Sequence, residues 1–318
     1  LDPQKTPLIY RLKSFLAGFL FFAFSFQGIR AQDSLSIVNP PKMDVAKRVK
    51  IVGMASASLY VGSMAVLYSA WYKGFATEKF HAFNDTHEWL QMDKAGHVFS
   101  AYHISRYASD LASWTGLDRN VNAWTSTAAS LLCMTSIEVF DGFSHGWGFS
   151  SVDMLANISG AGLFLGQELA WHEQRIRMKY SFLPSTYAVY RSNLLGHSLA
   201  EQMLKDYNAQ TYWLSINLSS FASSNTKIPS WLSLAFGYGA EGMIGGNANP
   251  IRDAAGNPYP QFQRNRQFFF SPEIELSRIK TKKRWLKSVL NSVSMIKIPL
   301  PTLELKSNGK WVMHPIYF

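Results

Sequence analysis

The chain has 318 residues, of which 47% are apolar, 14% aromatic and only 16% charged, and its formal net charge is +10. A charged share below the roughly 25% of an average soluble domain points to extensive burial or membrane contact, while a mean hydropathy of -0.06 is too low for a chain made mostly of lipid-embedded spans. Cys133 is the only cysteine, which excludes an intrachain disulfide and a cysteine-based zinc site.

The N-terminal segment reads as an export signal. Lys5, Arg11 and Lys13 lead into the apolar stretch SFLAGFLFFAFSFQG, too short to span comfortably, and IRAQ offers cleavage after Ala31. Residues 1–31 are therefore expected to be a signal peptide, and residues 32–42, polar and proline-bearing, a linker. Gln32, directly after the cut, resembles the exported proteins of Bacteroidota. No cysteine sits near the cut, so the pattern is not that of a lipoprotein signal.

Residues 51–72 carry no charge over 22 positions, and length alone makes them a transmembrane candidate. The flanks argue otherwise. After a cleaved signal the N-terminal end would face outside, yet Lys47, Arg48 and Lys50 stand there, with only Lys73 and Lys79 beyond, the reverse of the positive-inside rule. The run is rich in Ala, Ser, Gly and Tyr, which suit close helix packing. A buried central helix is expected, with a membrane span as the alternative.

Helical periodicity continues to about residue 175, over 45–73, 91–114, 119–141 and 151–175. Asp118 is a candidate N-cap for the third helix and Ser150 or Ser151 for the fourth. Cys133, in TAASLLCMTSI, is expected to be a small buried hydrophobe. Short loops between four helices predict an antiparallel bundle over 43–175.

Residues 176–318 are expected to form a membrane-proximal C-terminal region. A short amphipathic helix is predicted over 198–209. TYWLSINLSSF, WLSLAFGYGAEGM and QFFFSPEIELSRI are strands or short interfacial helices, and KRWLKSVLNSVSMI reads as a basic amphipathic helix of the membrane-surface type. The ending KWVMHPIYF is similar to the last strand of outer-membrane barrels, but Pro315 and the scarcity of ten-residue alternating strands weigh against a barrel. The fold class predicted is mainly α, a bundle of about four helices with an irregular, partly β or interfacial-helical C-terminal part.

The positive charge has two main sources, Lys42 to Lys50 and Arg278 to Lys287. No nucleic-acid module is present and the aromatics do not interleave with the basic runs. Membrane lipids or an envelope protein are the expected partners, a solvated basic face being the plainer reading.

Three polar pairs carry the candidate chemistry. Asp93 and His97, in MDKAGHVF, are i and i+4 and share a helix face. Glu138 and Asp141, in EVFDG, are i and i+3; Asp153 and Asn157, in SSVDMLANISG, are again i and i+4. In an antiparallel bundle the three pairs can meet at one end. Three readings stand side by side. In the first, the pairs form a structural network, with Lys94 or Arg106 neutralising a carboxylate. In the second, His97, Asp93, Glu138, Asp141 and Asp153 act as acids and bases, with Asn157 and Lys94 binding a ligand. In the third, the same carboxylates and His97 hold a divalent metal as cofactor. His145, in FSHGWGF, is expected at the surface or in a lid, and His103 in packing.

MDKAGHVFSAY followed by EVFDGFS and GFSSVDMLANISG resembles the uncharacterised YfiM-like group of predicted bacterial periplasmic lipoproteins and its Bacteroidota relatives. The opening D-K-x-x-H is also similar to VanZ-like membrane proteins. The resemblance spans roughly residues 85–175 and implies Asp93, Lys94, His97, Glu138, Asp141, Gly142, Asp153, Asn157 and Gly160 as the positions of interest. It implies an envelope location, on the periplasmic side and membrane-associated, and brings no reaction. The chain departs from it by lacking a lipobox cysteine. The expected function is that of an exported envelope protein whose polar cluster is a structural or binding network; the alternative is a metal-assisted or acid/base hydrolase of an envelope lipid or cell-wall precursor.

Overall fold

A computed structural model describes residues 44–72, 76–223 and 225–318, with backbone alone at 70 and 71. The expected signal peptide and linker lie outside the described residues. The chain is divided into two compact units. The first holds the residues up to Asp85, Ser100–Gln174 and Lys282–Ser292; the second holds Thr86–Phe99, Arg175–Thr281 and Val293–Phe318.

Four long helices dominate the first part of the chain: α1 (Val45–Leu67), α2 (Met92–Ala112), α3 (Arg119–Gly142) and α4 (Ser151–Trp171). Helix α2 gives residues 92–99 to the second unit and residues 100–112 to the first. The predicted caps hold. The Asp118 side chain accepts from the amides of Asn120 and Val121 at 2.9 and 3.3 Å, and Ser150 Oγ accepts from the Asp153 amide at 3.1 Å. Each satisfies N–H groups that a helix start leaves open. Ala101, Met134 and Ala161 form a small core of the first unit, flanked by Ile104, Leu131 and Ile137.

Helix α1 departs from its expectation. No residue of Val45–Leu67 is buried, although it is long and apolar enough to cross a membrane by length and composition. Its apolar residues occupy the whole circumference, so no single face selects a core to pack on. Tyr60 bonds the Ser136 hydroxyl at 2.6 Å and the Arg48 guanidinium donates to the Trp114 carbonyl at 3.2 Å. Cys133 is half-buried rather than buried.

The second unit overturns the mainly α expectation. It carries an antiparallel sheet of six strands in sequence order: β1 (Ile176–Phe182), β2 (Gln210–Asn217), β3 (Leu232–Glu241), β4 (Asn265–Ile274), β5 (Leu300–Lys306) and β6 (Trp311–Tyr317). The chain is an α+β protein, and a helical bundle with an irregular tail does not describe it. The three aromatic segments that sequence left between strand and helix are β2, β3 and β4. Their alternation is masked because the inward positions mix Ser, Gly and Ala with Trp213 and Phe269, so polarity does not simply switch at every second residue.

Three helices complete the chain: α5 (Ser192–Leu195), α6 (Leu199–Lys205) and α7 (Arg284–Val293). The last is the predicted basic helix. The sheet curls so that Tyr317 of β6 bonds Thr211 of β2 at 3.2 Å and its ring lies 4.6 Å from Phe269. Gly237 makes room for the inward Trp213 ring, since a Cβ there would lie 2.7 Å from it.

Candidate functional site

The expected polar positions fall into both units. In the second, Asp93 lies in the first turn of α2. Its Oδ1 accepts from the Tyr207 hydroxyl at 2.7 Å and its Oδ2 from Lys94 Nζ at 3.0 Å. His97 Nε2 stands 3.8 Å from Asp93 Oδ1, as the i, i+4 spacing requires. Next to Tyr207, burial pushes the Asp206 carboxyl above its ordinary value, against hydrogen bonds from Ser185 and Asn208 that lower it.

The backbone leading into this turn is unusual. Trp89, Leu90 and Gln91 all have positive φ, at 49°, 50° and 64°, a conformation costing L-residues about 1–2 kcal/mol each. The surroundings hold them there. The Trp89 amide donates to Gly246 O at 2.9 Å, Gln91 Nε2 donates to Thr86 O at 2.8 Å, Arg266 donates to Gln91 Oε1 at 2.6 Å, and the Tyr238 hydroxyl donates to Leu90 O. Met92 is fully buried against Ala240 and Met243.

In the first unit, Ser150 gathers two of the predicted pairs. Its amide donates to Glu138 Oε2 at 3.3 Å, its hydroxyl donates to Asp85 Oδ1 at 2.7 Å, and its Oγ takes the Asp153 amide. Glu138, Asp153 and Asn157 are all buried. Asp141 is engaged elsewhere, accepting the Tyr72 hydroxyl at 2.7 Å. Gly142 permits the close approach of Phe80, whose ring would stand 2.4 Å from a Cβ. His145 is exposed and pairs with Glu78 at 3.1 Å; His103 is buried between the rings of Tyr102 and Tyr107.

Sequence reasoning missed Tyr72, Asp85, Tyr207 and a charged cluster inside the sheet. Lys179 Nζ lies 2.8 Å from Glu273 and 3.2 Å from Glu275, and Lys297 Nζ lies 3.1 Å from Glu273. Lys179, Glu273 and Lys297 are fully buried. The signal of Lys179 and Glu273 was inward register on β1 and β4, legible only once the strands are known. The Asp85 and Tyr207 contacts join positions 65 and 114 residues apart, which no local pattern encodes.

This arrangement can fix helix ends by charge-assisted hydrogen bonds, and Asp93 with His97 offers one carboxylate and one imidazole to a proton or a cation. No curated protein and no solved structure gave a significant match. Residues 81–165, about a quarter of the chain, match the family described as "Predicted periplasmic lipoprotein (DUF2279)", and the protein is accordingly one of the cell envelope, on the periplasmic side and membrane-associated.

Proposed function

We propose that the protein is a non-enzymatic, membrane-integrated component of the envelope, in which the Asp, His and Glu positions hold the helices in place and the basic, aromatic C-terminal half contacts lipid or an envelope partner. One observation carries this reading: in the first unit many polar side chains are buried while many large apolar ones are exposed. Helix α1, apolar enough to cross a membrane by length and composition, has no buried residue. Helix α3 buries Asn122, Ser126, Thr127, Ser130 and Glu138 while exposing Val121, Trp124, Leu132 and Val139; α4 buries Asp153, Asn157 and Gln167 while exposing Leu155, Ile158 and Leu169. Water selects the opposite pattern. Hydrocarbon favours this one, because buried polar groups then bond across helices and apolar side chains meet lipid tails. Ser130 donates across to Ala101 O at 2.8 Å, and Asn122 donates to Ser109 O at 3.1 Å. Among the described residues helix α1 is the one long and apolar enough to cross a membrane, and its 23 residues reach about 35 Å, enough for the hydrocarbon of a bilayer.

Alkaline carbonate washing of membranes tests the reading. The protein is expected to stay in the pellet; release into the supernatant overturns integration. Within the matched family, a YfiM-like, Bacteroidota-type member is the finer assignment we propose, resting on the D-K-x-x-H, E-x-x-D and S-x-x-D-x-x-x-N segments alone.

The left-handed run Trp89–Gln91 favours a second reading, since strain of this kind clusters at functional sites and here it precedes Asp93. In this reading Asp93 and His97 of the second unit serve as an acid/base pair or as metal ligands of a hydrolase. Elemental analysis of protein purified without chelators, beside His97→Ala, decides it. Near-stoichiometric zinc, manganese or iron lost in the variant supports it; no metal in either removes its metal-assisted form.

A further inference from the structure

We propose that the outward face of the sheet, over β3 to β5, is a contact surface for the hydrocarbon of a lipid bilayer. This deepens the membrane reading above but stands on the second unit by itself. Along β3, Ser233, Ala235, Gly237 and Gly239 point into the protein, while Leu232, Leu234 and Phe236 take the other face together with Tyr238, which is covered there by Leu90 and Met92; along β4, Asn265, Phe269, Ser271 and Glu273 are buried, and Phe268 and Phe270 are exposed. On β5, Thr302 and Glu304 are buried and Leu303 is exposed. Apolar out and charged in, strand after strand, is the pattern lipid selects in a β-structure. A sheet in water places such a face on a core and turns its charges outward. Here the charges Lys179, Glu273 and Lys297 are the buried ones.

The dimensions agree. β3 and β4 have ten residues each, about 33 Å at about 3.3 Å per residue, within the length a tilted membrane strand needs. Trp231 precedes β3 and Trp311 opens β6, which the antiparallel order puts at opposite ends of the apolar band, and both are exposed. Tryptophan prefers the two membrane–water boundaries. Lys310, exposed in the turn beside Trp311, can reach headgroups at that end. An apolar groove of about 390 Å³, lined among others by Ala95, Val98, Leu214, Phe236 and Phe268, continues the same face. The sheet is open at β6, where Pro315 has no N–H to leave unmet, so the contact is assigned to the faces of β3 to β5 and not to that edge.

Nitroxide labels test this on single cysteines placed at Phe236, Phe270 and Leu303 in a Cys133→Ser chain, reconstituted into phosphatidylethanolamine/phosphatidylglycerol vesicles. The ratio of oxygen to nickel-complex accessibility is expected to be several-fold higher at all three than at a label on the exposed loop residue Ala254. Nickel-dominated labels would mean the face meets water, and low access to both reagents would mean protein covers it; either overturns the proposal. Should a variant fail to fold, diazirine-bearing phospholipids applied to the unaltered protein give the same answer. Adducts within residues 232–241 and 265–274 support the proposal, and their absence there refutes it. A protein retained in carbonate-washed membranes but water-exposed at these labels refutes only the sheet assignment, whereas release by carbonate refutes the membrane reading as a whole.

Discussion

Glu138 shows how a single buried carboxylate works in this protein. It sits near the end of α3, 1% exposed, and accepts the Ser150 amide, while Ser150 in turn caps α4 through the Asp153 amide and donates to Asp85. Removing the carboxylate leaves a buried donor without its charged acceptor. Glu138→Ala is therefore expected to cost roughly 1–3 kcal/mol, the scale of leaving a buried donor without its acceptor, read as a lowered melting temperature in detergent. A purely catalytic carboxylate would behave oppositely: its loss leaves stability unchanged or raised. The pairing of Glu138 with its i+3 neighbour Asp141 was legible as a helix-end feature, but its engagement with Ser150 and that of Asp141 with Tyr72 were not. Sequence spacing reports a shared helix face, not the partner across from it.

Individual elements were read with uneven success, for identifiable reasons. The four long helices and their caps follow from periodicity and from Asp118 and Ser150, local signals that need no tertiary help. The strands follow from a longer-range condition. Gly237 on β3 faces Trp213 on β2 and Phe269 on β4, and a Cβ would stand 2.7 Å from the Trp213 ring and 3.0 Å from Phe269 Cβ. Gly237→Val is thus expected to cost about 1–3 kcal/mol by overpacking, whereas Phe236→Leu, one residue away and outward, is expected to be close to neutral. Equilibrium unfolding of the two variants in the same detergent checks the contrast. The glycine looks like a strand breaker until its neighbours are known.

At the scale of the whole molecule, a mean hydropathy of -0.06 argued against a largely lipid-embedded chain. The structure gives that average another meaning. Buried polar and exposed apolar side chains occur in both units, in α3 and α4 and again across β3 to β5, and an average over residues does not record which of them are buried. Carbonate retention is the expected outcome for the helical unit and oxygen-accessible labels for the sheet; each unit is judged separately.

By itself the sequence determined the helices and their caps, the helix faces shared by Asp93 with His97 and by Asp153 with Asn157, and the similarity to an envelope family, because all of these reside in patterns a few to a few dozen residues long. Tertiary structure alone decided that the C-terminal half is a six-stranded sheet, that Lys179 and Glu273 pair across 94 residues, and which face of each element is buried. Periodicity shows that an element has two faces, but which one turns inward depends on what surrounds the molecule. A reading that assumes water expects the apolar face to be buried, whereas α3, α4 and β3 to β5 each leave large apolar side chains exposed beside buried polar ones.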